Sequence, residues 1–129
     1  MPKDKGKNLA EQIAKERGFS RPWHGLLAAR DPEFMEIYHK MAMHAFQGRN
    51  ALPRKFKEII AVCMDAVTFY DEGLRVHLRN ALKAGATEDE IIEALEVSTL
   101  LGIHNLSVHL PAVAEEVEKY RKESKKKRK

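Results

Sequence analysis

Apolar residues recur along the chain at three- and four-residue spacing, and no stretch alternates apolar with polar over several residues. That periodicity predicts helices throughout and no strands. A first helix is expected over Leu9–Arg17, ending at Gly18, after which FSRPWHG, residues 19–25, reads as an irregular segment around Pro22. The next opens at DPEF, where Asp31 can cap and Pro32 suits the first helical position, and runs to about Gln47 with Phe34, Ile37, Tyr38, Met41 and Ala45 as its apolar face. After the loop GRNALP, Pro53 opens a third helix from Arg54 to about Tyr70 that is apolar on nearly every side, as a central core helix would be. A fourth spans about Glu72–Ala84 and closes at Gly85; Thr87 and Glu90 then have capping-box spacing at the start of a fifth, which ends near Gly102. A sixth is expected from around Pro111 into the C-terminal tail. The reading is an all-α bundle of about six helices.

Composition narrows the class. A chain of 129 residues with 43% hydrophobic content suits one domain with one core. No uninterrupted apolar run reaches the roughly 18 residues of a membrane span, and MPKDKGKNLAEQ has no apolar segment after its charges, so a soluble, cytoplasmic protein without a membrane partner is expected. Cys63 is the only cysteine, which excludes an intrachain disulfide and a cysteine-rich metal site. The net charge of +4 is unevenly spread: residues 119–129, KYRKESKKKRK, hold eight basic residues and one acid, leaving residues 1–118 mildly acidic. The division is therefore a helical domain over 1–118 and a basic tail over 119–129. No basic helix with base-reading or stacking residues accompanies the tail, so it reads as a solvated helix end, and a nucleic-acid partner is not expected.

The candidate chemistry sits on the third and fourth helices. Leu74, His77, Leu78 and Ala81 share one face, which turns His77 inward. Glu58 lies in an otherwise apolar stretch, and Asp65 follows seven residues on along the same stripe. A carboxylate and an imidazole in an apolar setting can exchange protons with a substrate; a lone inward histidine is otherwise a hydrogen-bonded core residue. The blocks LPRKFKEII (52–60) and DEGLRVHLRNALKAGATEDEIIEAL (71–95) resemble the carboxymuconolactone decarboxylase and alkylhydroperoxidase D superfamily, and the resemblance extends more loosely through FMEIYHKMAMHAF and STLLGIHNLSVHLPAVAEEV.

That resemblance implies an alkylhydroperoxidase D-like fold, an inward glutamate nineteen residues before the catalytic histidine, as Glu58 is before His77, and oligomers such as trimers or hexamers. In the peroxidase branch a CxxC pair precedes the histidine; here those positions are Tyr70 and Gly73, so the family's dithiol cycle cannot operate. YDEGLRVHLR instead resembles the decarboxylase branch. The implied activity is a cofactor-independent lyase acting on a small anionic lactone or carbonyl compound, with His77 as proton donor, Glu58 orienting it and Tyr70 stabilising an oxyanion. Arg21, Arg54 or Arg75 could hold a substrate carboxylate. His104, in the break LGIHNLSVH between the last two helices, is a further substrate-binding candidate.

Alternatives remain at this level. They are a peroxidase using Cys63, which otherwise reads as a small buried hydrophobe, and a non-catalytic small-molecule binder. His39 and His44, like His104 and His109, are five apart rather than four, so no metal pair on one helix face is expected; a metal across helices would have to use Glu58, His77 and His104 or His109. Tyr38, Met41, Met43 and Phe46 read as core or subunit contact rather than as a substrate lining.

Overall fold

The computed structural model describes residues 2–128, with the side chains of residues 2–4 and 105 outside the description. The described residues form α-helices α1 (Pro2–Arg17), α2 (Pro22–Arg30), α3 (Pro32–Met43), α4 (Arg54–Val67), α5 (Asp71–Lys83), α6 (Glu88–Leu101) and α7 (His104–Lys127), plus a π turn at His44–Gly48. The fold is all-α, as the periodicity predicts. The chain divides into two compact units, Met1–Arg54 and Lys55–Lys129.

In the first unit, the segment expected to be irregular is α2. Its start signal is unusual: Arg21 is extended, Pro22 takes the first turn, and His24 Nδ1 accepts the Arg21 N–H at 3.3 Å. A histidine thus fills a role usually held by Ser, Asp or Glu, which is why the helix was hidden. Asp31 then closes α2 by donating its N–H to the Leu27 carbonyl at 2.7 Å and caps α3 by accepting the Phe34 N–H at 3.0 Å. The apolar face of α3 is turned away from this unit's core: Phe34, Ile37, Met41 and Ala45 are exposed, while Met35 and His39 are buried and Tyr38 is half-buried. The inward stripe includes a histidine, and a purely apolar criterion rotates past it. Ile13, Ala28 and Met35 form this unit's core, with Leu9, Ala10, Leu27 and Tyr38 packed around them.

The second unit is built on α4, α5 and α6, whose Ile59, Val62, Ala81, Ala86 and Ile91 make its core, flanked by Cys63, Leu74, Leu78, Ala94 and Leu95. Helix α4 buries one side, Glu58, Ile59 and Val62, and leaves Phe56, Ile60, Met64 and Val67 exposed, so it is not enclosed within a single chain. It ends at Val67, and Phe69 turns the chain at φ 55°, a left-handed conformation that side chains rarely adopt. Gly85, at φ 95°, closes α5 as expected. The α6 capping box forms: Thr87 Oγ1 accepts the Glu90 N–H at 3.1 Å, and Glu90 Oε2 accepts the Thr87 N–H at 2.9 Å. Lys55 Nζ donates to the other Glu90 oxygen at 2.9 Å, tying α4 to the start of α6.

The expected break at residues 102–110 shrinks to Gly102 and Ile103, and α7 begins at His104 with Pro111 inside it. Proline forfeits one helical hydrogen bond, which a helix of 24 residues tolerates. Residues Glu88–Lys127 taken together are long and apolar enough, by length and composition, to cross a membrane, although only 6% of the most apolar stretch is buried within the chain. The run-length reading missed this because Glu93 and Glu96 interrupt the stretch without lowering its average enough. Along α7, Ile103, Leu106, Leu110, Val113, Val117 and Tyr120 follow one another at alternating three- and four-residue steps, and all are exposed.

Candidate active site

Helix α4 carries Glu58, Val62 and Asp65 on one stripe, and α5 turns His77 toward it between Leu74 and Leu78. Glu58 Oε2 lies 2.7 Å from His77 Nδ1; the glutamate side chain is 0% exposed and the histidine 16%. With Glu58 ionised, Nδ1 must carry the hydrogen that it donates, which leaves Nε2 as the ring nitrogen that does not face the carboxylate. Such a pair fixes the orientation of the imidazole and offers a proton route between a buried acid and the ring's far edge.

Asp65 is a third member of the group. Its Oδ2 is buried without a hydrogen-bond partner among the described residues. Burial pushes its carboxyl above the usual aspartate range, an effect partly offset by the charge of nearby His77. Gly73 makes room for it: a Cβ there would stand 2.5 Å from Asp65 Oδ2 and 2.5 Å from Tyr70 Cδ1. At the positions where the resemblance puts the two peroxidase cysteines, this chain therefore has a tyrosine ring and a bare backbone pressed against a carboxyl group. Cys63, half-buried, packs on the α4–α6 core instead.

A cleft of about 370 Å³ lies between α4, α5 and α6, lined by Val62, Leu74, Leu78, Leu82, Ile91 and Leu95 together with Ile92 and Glu88. A second depression of about 280 Å³ is formed by Arg75, Leu78, Arg79 and Leu82. Leu78 and Leu82 line both, so the apolar cleft adjoins a depression edged by two arginines. Arg75 itself points outward and donates from Nε to Asp71 Oδ2 at 2.7 Å. Arg79 was not among the sequence candidates, because nothing in its spacing sets it apart from any other surface arginine.

The remaining candidates make contacts of their own. The Arg54 guanidinium stacks over the Phe46 ring at 5.1 Å. His104, exposed at the start of α7, has Nδ1 3.1 Å from the Ser107 hydroxyl. Arg21 belongs to the first unit, beside Phe19 and His24. Among the described residues, no three His, Cys, Asp or Glu side chains are grouped to hold a metal ion.

Residues 32–116, which include Glu58, Asp65, Tyr70, His77 and His104, match the carboxymuconolactone decarboxylase family. The chain belongs to that family. A crystal structure of a protein provisionally named a gamma-carboxymuconolactone decarboxylase subunit, from Burkholderia xenovorans LB400, is similar at 30% sequence identity and a TM-score of 0.65. The similarity covers 90% of this carboxymuconolactone decarboxylase-family chain and 47% of the other, so this chain spans about half the length of that relative. No curated protein matches it.

Proposed function

We propose that this protein is a lyase of the carboxymuconolactone decarboxylase type, removing carbon dioxide from a small lactone or related carbonyl compound that carries carboxylates. The observation that carries the reading is the 2.7 Å contact between fully buried Glu58 and inward-facing His77. When carbon dioxide departs, the electron pair of the broken C–C bond spreads onto the conjugated carbonyl, and a proton must then reach carbon. His77, protonated on both ring nitrogens, gives the Nε2 proton to carbon and reverts to the neutral ring, to be reprotonated from solvent, while the hydrogen on Nδ1 stays there, donated to Glu58, and keeps the ring in place. Tyr70 donates to the developing oxyanion. Asp65, whose carboxyl burial favours the protonated form, serves as a second donor near the same ring. The apolar cleft is walled by Leu74 and Leu78, which flank His77, rather than by Glu58 or His77 themselves; it offers an apolar surface for the carbon skeleton, and Arg75 and Arg79 at its neighbour suit a carboxylate.

The test is release of carbon dioxide from a panel of carboxylated γ-lactones by the wild type, Glu58→Gln and His77→Gln. Loss of the proton donor should lower turnover by about 10²–10⁴-fold, the usual contribution of general acid–base catalysis. Turnover by His77→Gln at the wild-type rate would sink the assignment. We also propose that the protein works as a homo-oligomer, since the exposed apolar rows on α4 and α7 find no cover within the chain.

A further inference from the structure

Helix α5 offers two different surfaces on either side of one leucine row. Leu74, Leu78 and Leu82 follow one another at four-residue steps, and Arg75 and Arg79 form a parallel row one residue on. On one side of the leucines is the cleft of about 370 Å³ between α4, α5 and α6, within the roughly 300–1,000 Å³ range of small-molecule sites. On the other is the depression of about 280 Å³ edged by the two arginines. Leu78 and Leu82 belong to both, so one ligand can lie across them and enter each. The space is open to solvent: Leu82 is 50% exposed and Ile92, lining the cleft from α6, is 46% exposed.

The two arginines differ in what they already hold. Arg75 donates from Nε to Asp71 Oδ2 at 2.7 Å, so its charge is answered. Arg79 is exposed and makes no hydrogen bond or ion pair among the described residues. An incoming carboxylate displaces only water from it, and the planar guanidinium can donate to both carboxylate oxygens at once. The cleft carries the opposite sign. Glu88, in the first turn of α6, is the charged residue of its lining, and it too is exposed and without a hydrogen-bond or ion-pair partner among the described residues. A negative group sent into the cleft would lose water to aliphatic walls and meet a second carboxylate there. An apolar group would instead cover the exposed parts of Leu82 and Ile92.

From this polarity we infer that the cleft and its neighbouring depression together bind an amphipathic carboxylate, with its apolar body against Leu78, Leu82 and Ile92 and its carboxylate on Arg79, and that they reject a ligand with a second carboxylate at its far end. As a binding site this stands apart from the lyase reading, since neither Glu58 nor His77 lines the cleft. As the class of substrate it rests on that reading.

The experiment is a titration of the full-length protein with octanoate, octan-1-ol and octanedioate, following the methyl resonances of Leu78, Leu82 and Ile92 by NMR. Saturable shifts with octanoate at a Kd of about 1 mM or tighter are expected, with the alcohol and the dicarboxylate roughly tenfold weaker. Arg79→Gln should bring octanoate down to the level of octan-1-ol, and Glu88→Gln should tighten octanedioate; both positions are exposed, so neither change disturbs the core. Octan-1-ol or octanedioate binding as tightly as octanoate, or octanoate binding unchanged in Arg79→Gln, would overturn the inference. So would the absence of any saturable shift, the result expected if a second copy of the chain covers the cleft. Octanoate has no lactone to open, so the titration is independent of turnover. Octanoate binding without carbon dioxide release from any lactone would keep this site and remove the lyase reading, and release without octanoate binding would do the reverse.

Discussion

Asp65 sits where its charged form is disfavoured, and that has a cost in stability. Because burial raises its folded-state pKa, the unfolded chain ionises more readily, so the penalty is present at neutral pH and disappears as pH falls below the unfolded value. Asp65→Asn should therefore raise the thermal midpoint by a few degrees at pH 7 and lose that advantage in acid, while lowering turnover; a scan at two pH values tests both halves. Gly73→Ala should do the reverse, costing about 1–3 kcal/mol as the new methyl meets Asp65 and Tyr70, with partial recovery in the Asp65→Ala background, read by denaturant unfolding of the two single variants and the double. His24 gives the sharpest pH signature. Burial first, then Arg17, Arg21 and His39, lower its pKa to about 4 from 6.5, so it stays neutral in the fold. Its contribution is present above pH 6.5 and is lost as pH falls toward 4, up to about 3 kcal/mol; His24→Asn, which keeps an acceptor for Arg21, should flatten that slope in urea titrations. Glu58 and His77 are legible in the sequence through the inward face of His77, the apolar stretch around Glu58 and the family resemblance, which implies their nineteen-residue separation, and Asp65 through its place on the same stripe. The His24 and His39 cluster is not, because Glu16 meets His39 only through packing between helices and no motif or resemblance marks the pair.

Local signals are legible in the chain, and packed faces less so. Asp31, Gly85 and the Thr87–Glu90 box act within four residues of themselves, so the chain states them outright. The inward face of α3 includes buried His39, and α2 opens on a bond from the Arg21 N–H to His24, and hydropathy carries no trace of either. The turn between α4 and α5 lies between these cases. Tyr70 donates its N–H to the Asp65 carbonyl at 2.8 Å, and Thr68 Oγ1 donates to Met64 at 2.9 Å, so the turn is closed by its own bonds while Phe69 bears the positive φ. Phe69 is 94% exposed and gains nothing from packing within the chain. Phe69→Asn or Phe69→Gly should stabilise an isolated chain by about 1 kcal/mol, measured by chemical denaturation. Loss of assembly in those variants would identify the ring as a subunit contact that justifies the strain.

At the scale of the whole molecule, the exposed row from Ile103 to Tyr120 on α7 repeats every seven residues, the pattern of a helix that packs against another helix. Leu106→Glu combined with Leu110→Glu should convert an oligomer to monomers in sedimentation experiments; an unchanged sedimentation coefficient would place the subunit contact elsewhere. The same helix continues through the basic tail as far as Lys127, with Lys119 paired to Glu115 and Glu116 and Lys122 to Glu118. That continuity would make the tail an orientation filter in any pairing of two α7 helices. Were two α7 helices to lie side by side in the same direction, their cationic ends would meet; in opposite directions those ends stand about 36 Å apart over 24 residues. The Debye length is about 8 Å at physiological ionic strength, so the antiparallel arrangement escapes the repulsion almost entirely. Dilution of the buffer salt would then leave an antiparallel pair intact and split a parallel one, and the tail would have decided which way round two copies meet.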